Sequence, residues 1–258
     1  MNKMKIGTHI PKAKGFLTSL RAFYDQEKNM GRPVQIFTGA PRFWRRPKMD
    51  EEDISATRSY LEAHGLSVFI HSIYLINTCK DPETFQQNAF DCLRWELELG
   101  RKIGFKGVVV HCGKSLDMGH EIAWNNMLTN MKSMLPFISP ECPLLLETSS
   151  GQGSEMCWRY EDLCSFYSAF TKEEQSKIRI CIDTCHVFAA GHDPLVFIDN
   201  WNKDFPESLV LVHFNDSKEC CGEKKDRHER PGHGHIGLGG MTQVAKWCFN
   251  HNIPMVME

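Results

Sequence analysis

Eight short runs rich in valine, isoleucine and leucine punctuate this chain, and longer segments with helical signals separate them. The runs cover residues 4–10, 34–38, 67–71, 107–111, 144–147, 179–183, 209–213 and 253–258. Apolar runs of this length, alternating with helices, are the signature of βα units around a parallel sheet. Eight of them predict a closed (β/α)8 TIM barrel of the α/β class, and 258 residues is an ordinary length for one. No internal repeat, low-complexity stretch or linker calls for a second domain, so residues 1–258 are expected to form one barrel domain.

Helix punctuation agrees with this reading. Asp81 followed by Pro82 supplies an N-cap and a first-turn proline, and Phe85, Ala89, Cys92, Leu99 and Ile103 then recur at helical spacing until Gly104. One continuous core-facing helix is expected there. A second is expected from the acidic turn Glu51-Glu52-Asp53 to Gly65, its carboxylates complementing the helix dipole.

In barrels of this kind, reactive groups project from the C-terminal ends of the strands. Here the third run ends in His71, the fourth in His111, the fifth in Glu147, the sixth in Asp183 with His186 just beyond, the seventh in His213 and the eighth in Glu258. The stretch after the seventh run, HFNDSKECCGEKKDRHERPGHGHIG, adds Asp226 and His228. Each run, as in GVVVH, LLLE and RICID, would place a lone polar group at the mouth of a closed apolar core, where an uncompensated charge is costly. Five imidazoles and four carboxylates exceed the needs of one ion and suit two or three. Nitrogen and oxygen donors without thiolates fit Zn²⁺ or Mn²⁺, and clustered divalent ions are a device for phosphoryl displacement. Cys112 and Cys185 are read as packing residues, and His9 as a rim hydrogen-bonding group. His233 and His235 are assigned to the glycine-rich loop, and Asp216 to orienting an imidazole or capping that loop.

Composition narrows the setting. A net charge of −2 and a pI near 6.6 exclude a globally basic nucleic-acid binder and leave room only for local basic patches. Eleven cysteines, odd in number and without a C-x-x-C pair, indicate reduced thiols rather than a disulfide framework. The polar first residues and the absence of a long apolar run argue against secretion or a membrane span, giving an expected cytoplasmic or nuclear location.

The chain resembles the endonuclease IV family of apurinic/apyrimidinic (AP) endonucleases. The likeness rests on HSIYLIN at 71–77, VHCG at 110–113, LLLET at 144–148, CIDTCHVFAAGHD at 181–193 and HFNDSK with DRHERPGHGHIG between 213 and 237. It implies a barrel carrying three zinc ions that cleaves DNA on the 5′ side of an abasic site, leaving a 3′-hydroxyl and a 5′-deoxyribose phosphate. By that resemblance His71 and His111 hold the first ion, and Glu147, as the central catalytic ligand, bridges it to a second held by Asp183, His213 and Glu258. His186, Asp226 and His228 hold a third. Tyr74 and Leu75 match residues that enter the duplex, Arg42 with Trp44 matches a second penetrating loop, and Arg227 lies among basic residues that grip phosphates. Those include Arg45, Arg46, Lys48, Lys218, Lys224, Lys225 and Arg230. The partner implied is double-stranded DNA bound by a monomer.

The chain stops at Glu258, so no closing helix after the last strand is expected. The competing readings are a divalent-metal sugar isomerase or epimerase of the xylose isomerase-like barrels and a non-catalytic binder of damaged DNA. The former has no use for the Asp226-Arg227-His228 group, and the latter would lack ligands.

Overall fold

A computed structural model describes residues 6–12, 14–48 and 50–258. Eight parallel strands close into a barrel: β1 (Ile6–Ile10), β2 (Val34–Phe37), β3 (Val68–His71), β4 (Val108–His111), β5 (Leu144–Glu147), β6 (Ile178–Asp183), β7 (Leu209–His213) and β10 (Met255–Met257). A short antiparallel pair, β8 (Asp216–Ser217) and β9 (His228–Glu229), stands outside the barrel. Every barrel strand is a run expected from sequence, with ends displaced by a residue or two; the first run's residues 4 and 5 lie outside the described residues.

Period-2 geometry explains the position of the site. Phe69, Val109, Leu145, Cys181, Leu211 and Val256 form one apolar cluster, separate from the larger core made with the helices. Successive side chains on a strand alternate faces, so the next residues to turn inward lie two positions further on. Those positions are His71, His111, Glu147, Asp183, His213 and Glu258. The polar layer therefore rests directly on an apolar plug, in the stacked manner of barrel interiors.

Register aligns the layer. Cα pairing sets His111 beside Glu147 and Asp183 beside His213. The second match depends on a shift between Ile180 and Cys181, whose partners jump from Leu209 to Leu211. One extra residue in β7 carries His213 level with Asp183, a displacement of the kind β-bulges produce beside active sites.

The helix expected from Pro82 to Gly104 is two helices, Pro82–Gln87 and Ala89–Ile103, broken at Asn88 with φ −137°. Asparagine competes for backbone hydrogen bonds and favours such interruptions. The apolar stripe is buried as expected, and Gly104 closes the second helix at φ 89°. The Glu51–His64 helix matches expectation and ends on Gly65, with the Asp50 side chain as its N-cap. Asp53 has another task besides the dipole, since its carboxylate accepts from the N–H groups of Phe16 and Leu17 at the start of the Phe16–Tyr24 helix. Among the described residues no helix is long and apolar enough to cross a membrane.

Candidate metal centre

The nine sequence-predicted groups converge at the C-terminal mouth of the barrel. His71, His111 and Glu147 offer ligand atoms within 4.8 Å of one another, as do Glu147, Asp183, His213 and Glu258, and likewise His186, Asp226 and His228. Glu147 belongs to two sets. One oxygen, Oε2, lies 3.3 Å from His71 Nε2 and 3.0 Å from His111 Nε2, while Oε1 lies 2.9 Å from His213 Nδ1. His228 Nε2 lies 3.1 Å from Asp226 and 3.5 Å from Asp183, which connects the third set to the second.

Hydrogen bonds on the far side of the imidazoles decide how they face the carboxylates. His71 Nδ1–H donates to the Ser72 carbonyl at 2.7 Å, and His186 Nδ1–H to the Thr148 carbonyl at 2.8 Å. His213 Nε2–H donates to Gln35 Oε1 at 2.8 Å, with the amide orientation set by Gln35 Nε2–H donating to Glu258 Oε1 at 2.6 Å. The other ring nitrogen of each imidazole thus faces carboxylate oxygens, an arrangement satisfied by a proton on that nitrogen or, with the ring neutral, by a metal ion between them. Glu147 Oε2, His186 Nε2 and His228 Nε2 are buried and lack a hydrogen bond among the described residues, despite their close neighbours. Atoms that crowd together without hydrogen-bonding one another are suited to a shared central ion. The donor set fits zinc or manganese.

Electrostatics carry the same signature. Burial penalises the imidazolium form of His186, but Asp183, Asp226 and Glu147 outweigh it and hold the pKa well above the usual range. His213 is raised well above that range too, against its burial, with Cys181, Glu258 and Glu147 facing it. His71 and His228 are raised for the same kind of reason. Burial likewise opposes the charged form of Glu147, yet His111 and His213 keep its carboxyl well below the ordinary value. The same carboxylates that would attract a metal ion thus favour protons on these imidazoles.

Residues beyond the nine support them. Gln35 and Asn215 were not anticipated. Asn215 Nδ2–H donates to Asp183 Oδ2 at 2.7 Å, and its Oδ1 accepts from the Glu258 N–H at 3.0 Å. Gln152 Oε1 accepts from the Asp226 N–H at 3.1 Å. His9 takes the rim role expected of it, with Gln35 Nε2–H donating to its Nδ1 at 3.2 Å, and burial lowers its pKa to about 4. Cys185 approaches Asp183 and His228, but burial pushes its thiol up to about 12 and keeps it protonated. Cys112 is buried in the core.

The 213–237 stretch is folded by Asp216. Its carboxylate accepts from the backbone N–H groups of Ser217, Gly232, Gly234, Ile236 and Gly237 at 2.8 to 3.4 Å. Of the two roles expected, it takes the loop cap; no imidazole is among these partners. The β8–β9 pairing sets Ser217 opposite His228 and so returns His228 to the cleft.

Two loops flank the mouth, and the Tyr74 N–H donates to the Pro41 carbonyl at 3.0 Å, so they touch. Phe43, Trp44, Tyr74 and Leu75 are large apolar side chains left exposed there, and Arg42 is exposed beside them. Tyr74 packs against His71 and His111, with ring centroids 5.5 and 5.8 Å apart. The basic flanks are less free than the sequence suggests. Arg46 is turned inward onto Thr38 and Glu96, and Lys225 pairs with Glu219 and Glu223. Lys224 lies 3.8 Å above the Trp158 ring, and Arg227 bonds to Gln152 and to its neighbour's carbonyl while remaining exposed.

A family profile described as xylose isomerase-like TIM barrel matches residues 30–246, so the chain is a barrel of that class. Probable endonuclease 4 of Streptomyces coelicolor is 33% identical over 267 residues, covering 98% of this chain and 88% of that one. The probable endonuclease 4 of Streptomyces avermitilis is 31% identical, covering 100% and 85%. The crystal structure of endonuclease IV from Thermus thermophilus superposes with a TM-score of 0.81 at 27% identity, over 98% of this chain and 91% of that one. The chain belongs to the endonuclease IV family. A D-tagatose 3-epimerase-like protein also superposes, with a TM-score of 0.71, but at 14% identity it shares the fold alone.

Proposed function

We propose that residues 1–258, as a single barrel domain, act as a monomeric zinc enzyme inside the cell, cytoplasmic or nuclear with its DNA. It would hydrolyse the phosphodiester 5′ to an abasic site and leave a 3′-hydroxyl and a 5′-deoxyribose phosphate. The observation that carries this reading is that the nine ligand-type residues fall into compact sets, with Glu147 common to the set of His71 and His111 and to that of Asp183, His213 and Glu258. His71, His111 and Glu147 would hold one ion, Glu147, Asp183, His213 and Glu258 a second, and His186, Asp226 and His228 a third. Manganese could replace part of the zinc. Divalent ions so held would polarise the scissile phosphate, acidify water and neutralise the departing oxygen.

The chain's own residues do the rest. Gln35, Thr148 and the Ser72 carbonyl fix the imidazole tautomers, so the ligand nitrogens face inward without rearrangement. Asn215 holds Asp183 and Glu258 together. Tyr74 and Leu75, with Arg42 and Trp44, would fill the duplex where the abasic nucleotide leaves the stack, and Arg227 would contact backbone phosphate.

Zinc-loaded protein is expected to nick an abasic duplex 5′ to the lesion, to lose that activity on chelation, and to regain it with added zinc. Undiminished cutting by chelated protein, with zinc analysis finding none bound, overturns the reading. Ion uptake should also release protons, because His71, His186, His213 and His228 hold theirs above the usual range. Those protons must leave before the nitrogens can ligate, so apparent zinc affinity should rise with pH above about 6.5. Calorimetry in buffers of different ionisation enthalpy measures the release.

A further inference from the structure

Glu96 is a carboxylate with no exposed surface, outside all three proposed ligand sets. It occupies the core-facing stripe of the Ala89–Ile103 helix between Cys92 and Leu99, where an apolar residue would ordinarily sit. Its Oε1 accepts from Thr38 Oγ1–H at 2.7 Å and lies 3.7 Å from Arg46 Nη1. Arg46 donates Nη1–H to Thr38 Oγ1 at 3.3 Å and Nη2–H to the Phe43 carbonyl at 3.0 Å. Burial pushes the Glu96 carboxyl up to about 7, with Thr38 and Arg46 pulling the other way, so placing it here costs desolvation that a well-packed apolar pair would avoid, and stability alone does not account for it.

The connections show what the pair holds. Thr38 immediately follows β2, and Arg46 closes the loop that exposes Arg42, Phe43 and Trp44. The other side of that loop is tied to the Tyr74 turn through the Pro41 carbonyl. The exposed aromatic tip is thus fixed at two points, one on the Tyr74 turn and one on Glu96 in the barrel wall. Phe43 is 66% exposed and Trp44 37%, so the tip itself has little core to hold it.

We infer that Glu96 is a positioning residue for DNA engagement: by anchoring Arg46 it fixes the Pro41–Trp44 tip beside the Tyr74 turn, whose ring packs on His71 and His111. The inference rests on the AP endonuclease reading. Without the anchor the tip must be ordered as DNA binds, and that ordering weakens binding. The chemistry at the ions is untouched.

The test is Glu96→Gln, which keeps the side-chain size and an oxygen for Thr38 while removing the charge that holds Arg46. Zinc-loaded wild type and variant are compared on an abasic duplex and on bis(p-nitrophenyl) phosphate, a diester too small to reach the loop. The KM for the duplex is expected to rise about tenfold, with its kcat and the small-diester rate changed less than about twofold. Arg46→Gln is expected to give the same split. In a Phe43→Ala, Trp44→Ala background the Glu96→Gln effect should nearly vanish, because residues acting through one element are not additive. An unchanged duplex KM, an equal loss on the small diester, or a fully additive effect overturns the role of Glu96. Wild-type protein that hydrolyses the small diester but spares the abasic duplex overturns the functional reading itself.

Discussion

Glu147→Gln is expected to lower incision of an abasic duplex by roughly 10²- to 10³-fold, as when one charge-stabilising group is removed from a preorganised site. The substitution preserves shape, so the fold should survive. What it removes is the negative charge that faces His71 and His111 through one oxygen and His213 through the other. No other residue belongs to both of these sets, so its neutralisation weakens two at once. The variant is also expected to bind less zinc per chain, and the loss should appear mainly in kcat. A Glu147→Gln protein that retains wild-type incision and full zinc content would rule out the bridging assignment.

Asp216→Ala is expected to be the most damaging substitution outside the ligand sets. Five backbone N–H groups converge on this one carboxylate. An alanine leaves several of them without an acceptor around a buried position, and removing one partner of a buried charged network costs about 3–5 kcal/mol. There is no slack for repair nearby, since a Cβ on Gly234 would already lie 2.3 Å from the Ser217 carbonyl oxygen. The loss should appear as a lower melting temperature and as faster amide exchange from residue 228 to 237. Incision should fall with it, because the same stretch carries His228. An Asp216→Ala protein that melts like wild type would show that the loop is held by something else.

The barrel and six of the nine groups were legible because one physical pattern encodes both, whereas His186, Asp226 and His228 lie beyond the strand ends and stood out only through the motifs that contain them. An apolar run that ends on a lone His, Asp or Glu marks a strand whose next inward position leaves the core, and six runs ending this way mark a common layer. Gln35 was not legible for a related reason. It is a single neutral polar residue inside VQIF, and only its contact with His213 and Glu258 reveals its task. Glu96 did leave a trace, since positions 85, 89, 92, 96, 99 and 103 form one helical stripe in which it alone is charged. The register shift opposite Ile180 left none, because nothing in LVLVH separates the extra residue from its neighbours. The basic flanks were misread in part because a run of Arg and Lys does not disclose which members turn inward, as Arg46 does.

The β8–β9 pair also sets how separable the third set of ligand-type groups is from the rest. Two of the three groups in the third set, Asp226 and His228, sit on an excursion between β7 and the following helix rather than on a barrel stave. The His71 and His213 sides of the cleft are carried by the barrel strands themselves. In architectural terms the third set is an annex, folded on itself by Asp216 and fastened to the building by Gln152 and by the Phe188 and Ala189 carbonyls, which accept from the Gly222 and Lys224 N–H groups.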